Sequence, residues 1–197
     1  MNLNVPEWKA ELRRQARARS REQTPEQHAA ASHQLCLRFK EQKIWGEARG
    51  ILFYLPLPDE PDIRPLLAEA LAAGRGAALP RYLATEDRYE VCAVQDLDQL
   101  QAARFGVLEP PGNCPLFDLK RLDMALVPGI AFAFDGARLG RGNGYYDRLL
   151  AQVTGWKCGV AFDWQVIPEI PTEAHDIRLN CILTPTLRQD VAGRARY

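Results

Sequence analysis

The 197-residue sequence lacks any apolar run approaching the roughly 20 residues that a membrane-crossing helix needs. Its longest weakly polar stretch, Met124 to Phe134, is interrupted by Pro128 and Gly129. No secretory apolar core follows Met1, and Glu7, Glu11 and Glu22 count against a transit peptide in the arginine-rich start. Cysteine is sparse and scattered: the 5 residues, Cys36, Cys92, Cys114, Cys158 and Cys181, form no CxxC pair. A disulfide framework and a zinc site are therefore not expected, and a reduced, cytoplasmic protein is. Excess charge is missing too. Lys and Arg number 25, as do Asp and Glu, so the basic surplus of a non-specific nucleic-acid binder is absent. Of the 3 histidines, His28 and His33 fall in no motif.

What is present reads as one folded unit. A composition of 47% hydrophobic and 25% charged residues is close to the globular average. No repeat, linker or low-complexity tract divides residues 1–197, so a single domain is expected. A helix is predicted from about Pro6, with Trp8, Leu12 and Ala16 on one face and Lys9, Arg13 and Arg17 on the next. Thr24-Pro25-Glu26-Gln27 is an N-cap, a first-turn proline and a capping-box glutamine, opening a second helix that runs to about Phe39. Ile51–Leu55 is a short apolar run of the kind found in a strand covered on both faces. Leu66, Leu67, Ala70 and Leu71 mark a helix stopping at Gly74. Strands are predicted over 77–79, 89–94, 124–127, 158–162 and 181–183, with a helix from Tyr145 to about Val153. This alternation predicts an α/β fold: a single three-layer α/β/α domain around a mostly parallel sheet.

The stretch richest in chemistry is Asp135-Gly-Ala-Arg-Leu-Gly-Arg-Gly-Asn-Gly-Tyr-Tyr-Asp-Arg148, which follows an extended run and opens a helix. Gly140, Gly142 and Gly144 alternate around Arg141 and Asn143, with Arg138 just before. Glycines let backbone N–H groups approach a ligand, a helix start presents unpaired N–H groups, and guanidinium groups bind anions. The combination predicts a phosphate cradle, though neither a Walker A loop nor a dinucleotide fingerprint is present. The plain alternative is a glycine-rich turn flanked by solvated arginines. Asp147, in the first helical turn, suits either the helix dipole or a magnesium ion beside phosphates.

Arg138–Arg148, preceded by Leu126-Val-Pro-Gly-Ile-Ala-Phe132, resembles the signature of the 5-formyltetrahydrofolate cyclo-ligases, also called methenyltetrahydrofolate synthetases. The likeness extends along nearly the whole chain. It takes in Lys9–Arg13, Tyr54 to Asp59-Glu60, Leu79-Pro-Arg81, Phe105-Gly-Val-Leu-Glu-Pro110, Gly159-Val-Ala-Phe162, and His175-Asp176. The resemblance implies ATP- and Mg²⁺-dependent cyclisation of 5-formyltetrahydrofolate to 5,10-methenyltetrahydrofolate, with ATP as co-substrate, releasing ADP and phosphate. It places Lys9 and Arg13, with Arg138 and Gly140 through Tyr146, at ATP; those last comprise Arg141, Gly142, Asn143, Gly144, Tyr145 and Tyr146. Leu55 and Glu60, with Arg141 and Tyr145, fall at folate-contacting positions, and Asp147 and Asp176 at magnesium-binding ones. Arg141, Lys9 and Arg138 are then the expected catalytic cations. Asn143, Asn180 and Thr184-Pro185 depart from the family pattern. Open alternatives are a relative that binds without turnover and a sugar-phosphate isomerase. No nucleic-acid or membrane partner is expected, and the chain is expected to act as a monomer on small molecules. The basic tail of Arg188, Arg194 and Arg196 is expected to be solvated.

Overall fold

The structure, a computed structural model, describes residues 4–103 and 106–191. Phe105 of the central motif, and Arg194 and Arg196 of the tail, lie outside the described residues. Helix α1 (Val5–Arg21) opens on a capping box in which Asn4 and Glu7 satisfy one another's backbone N–H groups. Helix α2 (Pro25–Lys40) opens on the Thr24/Gln27 box, and the short α3 (Lys43–Glu47) follows. Strand β1 (Gly50–Leu52) leads to α4 (Arg64–Ala72). That helix ends at Gly74, whose φ of 69° permits two closing bonds, Gly74 N–H to Leu71 O and Arg75 N–H to Ala70 O. Next come β2 (Gly76–Leu83), β3 (Arg88–Val94), β4 (Gln101–Ala102) and β5 (Leu108–Glu109). Strands β6 (Met124–Val127), β7 (Ala131–Ala133) and β8 (Arg138–Leu139) precede α5 (Tyr145–Leu150). The described chain closes with β9 (Trp156–Val160), β10 (Val166–Ile167), β11 (Cys181–Leu183) and β12 (Arg188–Asp190).

The main sheet has 7 strands in the order β12-β11-β9-β6-β1-β2-β3. Its interior pairs are parallel and the two edge pairs, β2–β3 and β11–β12, antiparallel. Alternate residues of the strands serve opposite faces, as a pleated backbone requires. Ile51, Leu79, Met124 and Leu126 meet α2, α3 and α4 in one cluster; Leu52, Ala78, Ala125 and Val127 meet α5 in the other. The three layers are as expected, with one addition. The α5 layer is completed by a second sheet of 3 strands, β10-β7-β8, through Phe132. Helix α1 packs on that small sheet rather than on the main one, placing Ala16 and Leu12 against Ile130, Ala131, Leu139 and Ile167. Arg188 also departs from expectation, because its Nη1 donates to Gln42 Oε1 at 2.7 Å.

Chain order reverses between β1 and β6: β2 lies on one side of β1, while β6, β9 and β11 extend on the other. Open α/β sheets bind ligands in the crevice outside the strand ends at such a switch point. Asp123 sets the local register there by accepting from Arg49 N–H (2.8 Å) and Gly50 N–H (2.9 Å) through Oδ2. The same approach leaves no room at Gly50, where an added Cβ would lie 1.9 Å from the Arg121 carbonyl oxygen. Gly50→Ala should therefore destabilise the protein by about 1–3 kcal/mol. Urea unfolding should show a lower midpoint with an unchanged slope.

Candidate active site

Above the carboxyl ends of β1, β2 and β6 lies a cleft of about 630 Å³. Its floor comes from Tyr54 and Leu55 after β1, Leu79 and Pro80 within β2, and Pro128 and Gly129 after β6. Every residue expected at the site lines it. Lys9 and Arg13 reach it from α1, Leu55 and Glu60 from the loop after β1, and Asp176 from the segment before β11. Arg138, Gly140 to Tyr146, and Asp147 complete the set.

One end of the cleft is cationic. The glycine bend runs from β8 into α5, with Gly142 at φ 118° and Gly144 at φ 66° as the N-cap residue. Side chains other than glycine adopt such angles poorly, so the bend exposes backbone rather than side chains. Across it, Arg13 Nε donates to Gly140 O at 2.9 Å. Lys9 is buried, and its Nζ donates to Glu173 Oε2 at 2.9 Å and Asp176 Oδ2 at 2.6 Å. Burial pulls the Lys9 ammonium down, but the bonds to Asp176 and Glu173 more than offset it and hold its pKa above the ordinary lysine value. Burial alone would raise Asp176, whereas Lys9 and the Glu173 N–H together bring it below the usual carboxylate value. Lys9 is thus an embedded charge rather than part of a solvated face.

Arg138 is deeper still, its side chain 3% exposed. Its Nη2 donates to Asp147 Oδ2 at 2.9 Å and its Nη1 to Pro128 O at 3.4 Å, while its guanidinium lies 5.6 Å from the Tyr146 ring centre. Arg141 points the other way. Its Nη2 donates to Asp59 Oδ1 at 2.6 Å and Glu60 Oε1 at 3.0 Å, joining the glycine bend to the loop after β1. Three of the four expected cations are therefore neutralised by carboxylates. Arg13 forms no ion pair among the described residues, and its one side-chain bond is to a carbonyl.

The opposite end is more apolar. Glu60 is buried there, its Oε2 accepting from Leu57 N–H at 3.0 Å. Desolvation raises its carboxyl above the ordinary value despite the Arg141 charge. Tyr89 packs between this end and the bend, with ring centres 5.5 Å from Tyr145 and 5.6 Å from Tyr146. Tyr145 and Tyr82 both donate to Asp87 Oδ1 at 2.7 Å, tying the β2–β3 turn to α5. Tyr89, Glu109 and Glu173 line the cleft without having been assigned to it from sequence. For Glu109 a signal existed, its place in the Gly-Val-Leu-Glu-Pro motif; Tyr89 and Glu173 sit in unremarkable local sequence. Among the departures from pattern only Asn143 lies at the cleft. Asn180 instead accepts Lys157 N–H at 2.9 Å, and Thr184 bonds to Asp163, so both serve the fold.

Asp147 and Asp176 face the cationic end, each already accepting from Arg138 or Lys9. No group of three His, Cys, Asp or Glu side chains able to hold a metal converges among the described residues. This donor set fits a hard cation whose shell is completed by water and a ligand's oxygens. Also among the described residues, no helix is long and apolar enough to cross a membrane.

An open α/β sheet carrying a glycine bend, embedded cations and a buried carboxylate at its switch point has the arrangement of an enzyme cleft, with charges suited to an anionic small molecule. Residues 5–185 match the model of the 5-formyltetrahydrofolate cyclo-ligase family, and the chain belongs to that family. A 5-formyltetrahydrofolate cyclo-ligase of Mycolicibacterium smegmatis is 36% identical over 151 residues, covering 73% of this chain and 76% of the relative. One from Escherichia coli is 30% identical over 175 residues, covering 86% and 96%. The NMR structure of Aquifex aeolicus 5,10-methenyltetrahydrofolate synthetase superposes with a TM-score of 0.84 at 29% identity, covering 96% of this chain and 95% of that one. The protein is accordingly a ligase.

Glu60 offers a check on the cleft's electrostatics. Its folded pKa is raised, so its contribution to stability is fully present below the unfolded glutamate pKa and is lost as pH rises through the folded value. Glu60→Gln should unfold at equal or higher urea concentration than wild type near neutral pH. That difference should vanish below the ordinary glutamate pKa.

Proposed function

We propose that the protein closes 5-formyltetrahydrofolate to 5,10-methenyltetrahydrofolate with ATP as co-substrate, releasing ADP and phosphate. A formamide oxygen is a poor leaving group. Transferring the γ-phosphoryl group onto it makes it a good one, after which the 10-nitrogen attacks the formyl carbon, the five-membered ring closes and phosphate departs. Phosphoryl transfer of this kind depends on positioning and on charge placed where charge develops.

The observation that carries the reading is Arg13, a cation without a carboxylate partner among the described residues, held over Gly140 at the mouth of the bend. An arriving polyphosphate would find an uncommitted guanidinium, backbone N–H groups from Gly140 to Tyr146, and Lys9 and Arg138 already fixed behind them. The folate would lie toward Leu55 and Glu60, whose carboxylate suits the amide and amino edge of a pterin. Arg141, bridging the two ends, would leave Asp59 and Glu60 to meet the formyl oxygen and the phosphoryl group passing to it, with Tyr145 flanking both. Asp147 and Asp176 would hold Mg²⁺, which supplies charge neutralisation on the phosphate oxygens.

Purified protein given 5-formyltetrahydrofolate and MgATP should produce methenyltetrahydrofolate, followed by its absorbance, only when ATP is present. Bound ATP or folate without product, or turnover indifferent to ATP and to a metal chelator, would overturn the reading. Arg13→Ala should raise the KM for ATP about 10–100-fold, the equivalent of one lost charge-assisted bond. Arg141→Ala should lower kcat/KM about 10²–10³-fold with the urea midpoint near that of wild type.

A further inference from the structure

Ring closure has a proton to dispose of. The 10-nitrogen of the formyl substrate carries a hydrogen and that of the methenyl product does not. Once the nitrogen lone pair has bonded to carbon, the N–H bond must break before the phosphorylated oxygen leaves. A group in the cleft able to take that proton has to be an acceptor not already committed to a cation.

Most acceptors there are committed. Asp147 accepts from Arg138 and from Ile177 N–H, while Asp176 and Glu173 hold Lys9. Glu60 holds Leu57 N–H on one oxygen and Arg141 on the other, and once Arg141 leaves it the pterin edge takes that place. Glu109 differs. It projects from β5 into the cleft, and its single hydrogen bond is a long one, Tyr82 N–H to Oε2 at 3.3 Å. Its Oε1 accepts from no donor among the described residues.

Among the described residues the charged and titratable groups around it are few. Arg81 of β2 faces it, but that guanidinium is bound to Glu90 and Pro111 O. Tyr89 of β3 lines the same cleft and feels the charges of Glu109, Glu60 and Arg141. Desolvation raises the Glu109 carboxyl above the ordinary glutamate value, in the direction that strengthens a base working near neutral pH.

Resting on the cyclo-ligase reading, we infer that Glu109 is a catalytic residue, the general base that removes the 10-nitrogen proton as the ring closes. The N–C bond forms with the nitrogen lone pair, the N–H electrons return to nitrogen, and the proton passes to Glu109 Oε1. The C–O bond then breaks with its electrons on phosphate, which takes the proton from Glu109 and departs as hydrogen phosphate.

Glu109→Gln in the full chain separates closure from phosphorylation. The amide keeps an acceptor for Tyr82 N–H but is no base. Methenyl formation should slow about 10²–10⁴-fold, with the KM for folate nearly unchanged and the acid limb of the kcat profile gone. Scrambling of a labelled β,γ-bridge oxygen in ATP, dependent on 5-formyltetrahydrofolate, should persist, because phosphoryl transfer to the formyl oxygen does not need this proton removed. Glu109→Asp should recover part of kcat and keep the acid limb. Wild-type turnover in Glu109→Gln, an altered KM alone, or loss of oxygen scrambling together with closure would each overturn the assignment. Wild-type protein that makes no methenyl product with ATP would overturn the cyclo-ligase reading and this assignment together.

Discussion

The contact on which the site depends is the hold of the first helix on the glycine bend. Arg13 bonds to Gly140 O, and one turn earlier Lys9 is buried between Glu173 and Asp176. An ammonium taken out of water is tolerated only when well partnered, and the two carboxylates supply that partnership. The partners belong to opposite ends of the chain, so neither α1 nor the segment before β11 builds the cationic end alone. Packing of Leu12 and Ala16 on the small sheet sets the helix in place, and the charges fix its rotation.

Embedding most of the cations in ion pairs has an energetic logic. A cluster of bare positive charges would repel itself and weaken the fold. Pairing Lys9 with Asp176, Arg138 with Asp147, and Arg141 with Asp59 and Glu60 lets the cleft carry cations without that cost. Of these cations, Arg13 is the one without a carboxylate partner among the described residues. The ion pairs also align the donors in advance, so little reorganisation remains when an anion arrives.

Much of this was legible in the sequence because the governing physics is local. The Thr24-Pro25-Gln27 box and the Gly74 stop depend on neighbours within a few residues and appear where expected, and the apolar runs form strands, though the one expected over 51–55 ends at Leu52 and the one over 158–162 is Trp156–Val160. The glycine bend was legible for the same reason, since alternating glycines before a helix have few other uses. What escaped depended on long-range packing. The second sheet is built from strands of two or three residues, too short to leave a periodicity, and β10 pairs with β7 across more than thirty positions. Lys9 was legible as a cation on a helix face but its burial was not, because its partners Glu173 and Asp176 are 164 and 167 positions away. Tyr89 reaches the cleft from the antiparallel edge strand β3, and Glu109 from β5 of a separate two-stranded sheet, placements that only the tertiary fold makes.

Because Lys9 of α1 and its partner Asp176 are 167 positions apart, the cationic end cannot form until the chain between them has been made. A ribosome-bound chain that has emitted β1, β2, β6 and even the glycine bend still has Lys9 without either carboxylate. Until the segment before β11 emerges, the first helix has an apolar stripe to dock but no electrostatic latch, so the cationic end of the cleft should assemble only once that segment has folded back onto α1.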